Sequence, residues 1–116
     1  MSPPVIAMCI YRVRSGREDA FLELLRQHWP TLRDLGLASE EASTILRGEE
    51  EGGPFFVELL PWRDDSAPGE AHQYPEVVSL WGPIEDLCEP RGGRPAVEFP
   101  HVERVNLHAR RESTLH

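Results

Sequence analysis

The chain of 116 residues is short of several things, and each shortage narrows what it can be. It has no long apolar run: the longest stretch, Val5–Tyr11, falls far below the roughly 20 residues a membrane-spanning helix needs. The opening Met-Ser-Pro-Pro puts no basic region ahead of that stretch, so it does not read as a secretory leader. A cytoplasmic protein with no membrane partner is the expectation. Positive charge is also scarce, with 12 Lys+Arg against 20 Asp+Glu and a net charge of −8. Such a chain is repelled by phosphate backbones, which argues against nucleic acid as a partner, and Arg110-Arg111 is too short to reverse this. Only two cysteines occur, Cys9 and Cys88, in what read as a central strand and a helix. They are expected as buried free thiols rather than a disulfide or redox pair. No glycine-rich phosphate loop, nucleophile elbow or Cys-x-x-Cys motif occurs, and no cofactor is expected.

What is present belongs to one folded domain spanning 1–116. Hydrophobic residues at 40% and charged residues at 28% are typical of globular chains, and the length suits a single two-layer core. Val5–Arg14 alternates as a strand, with Val5, Ala7, Cys9 and Tyr11 on one side and Ile6, Met8 and Ile10 on the other. Ser15-Gly-Arg-Glu18 has capping-box spacing and predicts a helix from about Gly16. Its apolar stripe is Phe21, Leu24, Leu25, His28, Leu32 and Leu35, with a kink or restart expected near Trp29 because Pro30 removes a donor. Gly36 followed by Leu37 suits a left-handed C-terminal cap. Strands are predicted over Glu41–Glu50 and Phe55–Trp62, the latter apolar on both sides apart from Glu58. Arg63–Gly69 reads as a loop and Glu70–Glu89 as a helix broken at Pro75, with Pro83 a second point of interruption. Pro90–Pro95 reads as a flexible connection, Val97–Leu107 as a last strand interrupted by Pro100, and Ala109–His116 as a polar, fraying tail.

The order βαββαβ predicts an α+β, ferredoxin-like antiparallel sheet with both helices on one face. The first and third strands offer apolar side chains to the other face as well. The simplest cover for that face is the same face of a second copy, so a homodimer through the sheets, a dimeric α/β barrel, is expected.

Three stretches carry a family resemblance: MCIYRVRSGRE, FFVELLPWRDD with Trp62 followed by Asp64, and EAHQYPEVVSLWGPIEDL. Together they resemble the antibiotic biosynthesis monooxygenase-like domain of the dimeric α/β-barrel superfamily, over about residues 5–107. That resemblance implies a cofactor-independent monooxygenase acting on a small aromatic, quinol-like substrate between sheet and helices. It also brings in a haem-degrading branch and many members without assigned activity. The family's oxygenases often carry an Asn on the first strand, and Val5–Arg14 has none.

His28 and His72 are the candidate catalytic residues. On a buried stripe His28 is either a core residue with a satisfied hydrogen bond or a pocket acid/base. His72 matches the family's Ala-His position. It is either a polar residue opening the second helix, or a group that binds or deprotonates a phenol, or an iron ligand as in the haem-degrading branch. Trp62, Trp81, Tyr11 and Arg47 are the candidate ligand-binding residues. The tryptophans are either packing or aromatic walls. Arg47, like Arg12, is either paired, with Glu58 or Glu103 as partner, or free to hold a carboxylate. His101-Val102-Glu103 has two-ligand spacing but no third donor is evident, so no metal is expected. A non-catalytic small-ligand-binding homodimer is the alternative function.

Overall fold

The computed structural model describes residues 5–108; the tail over 109–116 and the first four residues lie outside them. Among the described residues nine elements follow one another: β1 (Val5–Arg12), α1 (Glu18–Leu25), α2 (His28–Asp34), β2 (Thr44–Glu50), β3 (Gly53–Trp62), α3 (Ala67–Ala71), α4 (Pro75–Asp86), β4 (Val97–Glu98) and β5 (His101–Val102). The sheet is antiparallel with order β2-β3-β1-β4, and β5 also pairs with β1. The helices lie on one side of it. This is the ferredoxin-like α+β fold, with each helix and the last strand split in two.

Alternation along β1 and β3 decides what faces the helices. The pairs Ala7↔Leu60, Cys9↔Glu58 and Tyr11↔Phe56 turn one way. All six are buried beneath the helices with Phe21, Leu32, Val77 and Ile84. Ile6, Met8, Ile10, Val57 and Leu59 turn the other way and stay only partly buried, with no helix over them.

The helical segments depart from expectation in instructive ways. The Ser15–Glu18 capping box does not form: helix α1 starts at Glu18 with no side-chain cap, and Glu18 reaches Arg47 at 3.7 Å instead. Gly16 takes φ 86°, which turns the chain before the helix can begin. The interruption attributed to Pro30 is real but falls at Arg26–Gln27, so that Pro30 occupies the first turn of α2, where a missing N–H costs least. At the other end Gly36 (φ 77°) closes a Schellman cap, with Leu37 N–H donating to Leu32 O at 2.8 Å and Gly36 N–H to Arg33 O at 2.9 Å. Pro75 starts α4, whereas Pro83 is absorbed within its last turn without ending it.

The C-terminal segment is shorter as strand than its pattern suggests. Pro100 cannot donate, so the ladder to β1 divides into β4 and β5, and Val105 and Leu107 lie exposed beyond it. Residues 90–95 are also more than a flexible connection. Arg91 is buried and donates to the carbonyls of Pro54 (2.7 Å) and Val13, while its guanidinium meets Glu89 at 3.3 Å and Glu50 at 3.5 Å. Arg12 pairs with Glu50 at 2.9 Å and Glu98 at 2.6 Å, and Arg94 with Glu50 at 2.8 Å. These charges clasp the segment to the β1–β3 pair.

A candidate ligand cavity between the sheet and helix α4

Small side chains open a space at one end of the two layers. Ala7 and Cys9 of β1, beside Leu60 of β3, give a low floor where larger residues would fill the gap. Trp62, Trp81, Pro68 and His72 stand around it, and Phe99, His101 and Glu85 form the rim. His28 closes the inner end. The volume is about 220 Å³ and the lining is chiefly apolar. A dry cavity of about 150 Å³ already accepts benzene, so this one suits one or two fused rings.

Each wall residue is placed by local rules. His28 opens α2, made to restart there by the break at Arg26–Gln27. Trp81 lies one turn past Val77, on the flank of the buried Val77–Leu80–Ile84 stripe of α4. His72 caps the C-terminus of α3, whose start is held by the Asp64 carboxylate accepting the N–H groups of Ser66 (3.1 Å) and Ala67 (3.2 Å). Hydrogen bonds from Arg63 and Ser66 bring the Asp64 carboxyl down to about 2. The His72 ring meets Trp81 edge-on, with centroids 4.9 Å apart.

Beneath the cavity lies a buried carboxylate. Glu58, 0% exposed, points from β3 toward the helices. Its carboxylate accepts from the Tyr11 hydroxyl (2.7 Å), the Ser43 hydroxyl (3.0 Å) and His28 Nδ1 (2.9 Å to one oxygen, 3.1 Å to the other). Burial pushes the Glu58 carboxyl up, but the positive charge His28 carries when protonated, together with the hydrogen bonds from His28, Tyr11 and Ser43, outweighs it and holds the group below the usual range. The far nitrogen of the same imidazole, Nε2, accepts the Trp81 indole N–H at 2.9 Å. We therefore assign His28 as neutral, with its proton on Nδ1 and its lone pair on Nε2. Burial, then the charge of Glu58, raises the Tyr11 hydroxyl well above its ordinary value and lifts the Cys9 thiol to about 12. Neither ionises at neutral pH.

Four of the six residues singled out from sequence, His28, His72, Trp62 and Trp81, thus share one cavity. Tyr11 does not line it; its hydroxyl serves Glu58 from below and its ring packs on Phe21 at 5.0 Å. Arg47 is elsewhere, half-exposed on β2 over the Phe56 ring and beside Glu49 and Glu18. Neither Arg12 nor Arg47 pairs with Glu58 or Glu103. His101 and Glu103 part company: His101 turns to this cavity, Glu103 to a hollow on the opposite side of the sheet. Among the described residues no three His, Cys, Asp or Glu side chains are grouped so as to hold a metal ion. The residues do not fit haem either, since the cavity is below even the roughly 300 Å³ at which pockets for drug-sized ligands begin and Trp81 packs against His72.

Glu58 is the residue that sequence reasoning undervalued. A carboxylate on the same parity as Phe56, Leu60 and Trp62 has to enter the apolar layer, where it needs donors, and His28 and Tyr11 stood on the matching faces.

No family model matches the sequence, and no curated protein matches it. Among solved structures, a NIPSNAP family protein from Agrobacterium tumefaciens is similar in fold, with a TM-score of 0.60. The likeness covers 92% of this chain and 90% of that one at 13% sequence identity. At that identity the likeness speaks for the ferredoxin-like fold alone. Among the described residues no helix is long and apolar enough to cross a membrane.

Proposed function

We propose that this chain is a small-ligand-binding protein that takes a small aromatic molecule into the cavity between sheet and α4. The observation that carries this reading is the aromatic-walled space itself, which ends on a hydrogen-bonded imidazole rather than on packed side chains. Trp62 and Trp81 supply flat walls and His72 a polar edge. Calorimetric titration with 1-naphthol tests it. Saturable one-to-one binding is expected in the parent chain, and its loss in Ala7→Leu, which fills the floor. No heat in the parent, or unchanged binding in the filled variant, overturns it.

A narrower reading, a cofactor-independent monooxygenase of the antibiotic biosynthesis type, is favoured by one feature, the Glu58–His28 pair. An oriented imidazole is equipped to take a proton from a quinol-like substrate, and the resulting electron-rich anion reacts directly with O₂. Oxygen uptake with a panel of anthrones and quinols, abolished in His28→Gln, is the expected result. No uptake above the buffer rate by the parent chain would remove this narrower reading and leave the binding one standing.

The helix-free face of the sheet supports a third element of the proposal, a homodimer joined through the sheets. Ile6, Met8, Ile10, Val57 and Leu59 form an apolar surface there, extended by the exposed Leu46 of β2.

A further inference from the structure

The bond between His28 and Trp81 has a consequence for what the cavity can recognise, given that it binds a small aromatic molecule at all. From one side comes an indole N–H that can only donate; from the other, an imidazole Nε2 whose lone pair can only accept, because Glu58 holds the proton on Nδ1. They satisfy each other at 2.9 Å. Anything polar that enters at this end separates them, and both must then find a partner in the same group. A hydroxyl does this: its oxygen accepts from Trp81 Nε1–H and its hydrogen is donated to His28 Nε2. An ether or ketone oxygen satisfies the indole and leaves Nε2 buried without a donor. A carboxylate fails in the same way and adds a negative charge near ionised Glu58 and the rim carboxylate of Glu85.

We propose that the Glu58–His28–Trp81 chain is a hydroxyl reader, selecting neutral aromatic alcohols over matched ethers by insertion of the ligand O–H into the His28–Trp81 bond. Glu58 touches no ligand; it is a positioning residue that sets which imidazole nitrogen carries the proton. Tyr11 and Ser43 in turn occupy the remaining acceptor sites of the carboxylate and keep it facing His28. Nothing is oxidised and no covalent bond to carbon changes in this step.

The inference rests on the cavity reading above, and a matched pair of probes separates the two. 1-Naphthol and 1-methoxynaphthalene differ by one methyl group on the oxygen. Calorimetry with the parent chain is expected to give at least ~10-fold tighter binding of the naphthol, the scale set by leaving one buried acceptor unpaired. In Glu58→Gln the ratio should fall toward one, because the Gln amide can donate to Nδ1 and move the imidazole proton to Nε2. Trp81→Phe frees Nε2 while removing the indole donor, so the preference for naphthol should persist. This second variant decides the matter if the first does not fold. Equal binding of the two probes by the parent chain overturns the hydroxyl reader and spares the cavity reading; binding of neither overturns both. Loss of the preference in Trp81→Phe would show that His28 Nε2 does not read the hydroxyl and would also overturn the proposal.

Discussion

Glu58 occupies a strand position that alternation reserves for apolar side chains, between Phe56 and Leu60, and the local packing is built to tolerate it. Three donors surround the carboxylate, so its removal strands a buried imidazole N–H and two hydroxyls. Glu58→Leu is expected to cost about 3 kcal/mol or more in urea unfolding, the range seen when one member of a buried polar network is deleted. The pH dependence follows in sign. The folded-state value of Glu58 lies below the ordinary glutamate value of 4.5, so the folded chain binds fewer protons there than the unfolded chain. Its contribution is whole above about 4.5 and is lost as pH falls through the lowered folded value. Urea midpoints measured from pH 6 to 3 should decline less steeply in Glu58→Gln than in the parent. The thiols offer a second check. Cys9 is lifted to about 12 by burial and Glu58, and Cys88 to about 11 by burial and Glu85. Both should resist iodoacetamide at pH 8 until the chain is unfolded, as mass spectrometry would report. At this scale His28 was legible from its place on an apolar stripe, and His72, Trp62 and Trp81 from the family resemblance. The donor–acceptor chain that joins them was not, because periodicity gives a face and never a partner.

At the scale of elements, the clearest signals were backbone ones. The Gly36 cap forms as Gly36-Leu37 suggests, because only glycine accepts φ 77° without strain. A Cβ at Gly36 would meet nothing within 4 Å, so Gly36→Ala isolates the conformational cost, expected near 1 kcal/mol in urea unfolding. Two readings failed for the opposite reason, that distant residues overrule local pattern. The Ser15–Glu18 spacing is right for a capping box, yet Gly16 turns the chain and Glu18 turns to Arg47. The Pro-Arg-Gly-Gly-Arg-Pro stretch has a linker's composition, yet Arg91 is drawn inward by carbonyls of Val13 and Pro54 and by Glu50. None of those partners is near it in sequence. Arg91→Ala should therefore lower stability by about 3 kcal/mol or more, far beyond a surface arginine, and thermal unfolding will distinguish the two.

For the whole molecule, the ferredoxin-like architecture followed from element order, while the two-sided apolar character of β1 and β3 raised the expectation of a dimer. That character has been answered on one side by the helices. The proposed second copy answers the other. Light scattering at micromolar concentration is expected to give about twice the 13.2 kDa chain mass, and a mass of one chain would refute the dimer. Fold alone does not give activity, and the ligand reading stands on the cavity and its hydrogen bonds. The most direct test of that reading is an NMR titration of ¹⁵N-labelled protein with 1-naphthol, followed through the tryptophan indole N–H signals. The Trp81 signal should move progressively as its bond passes from His28 to the ligand. The Trp29 signal, whose N–H is held by Ser39 O at 3.1 Å away from the cavity, should stay in place. A Trp81 signal that does not move at saturating naphthol would contradict the account.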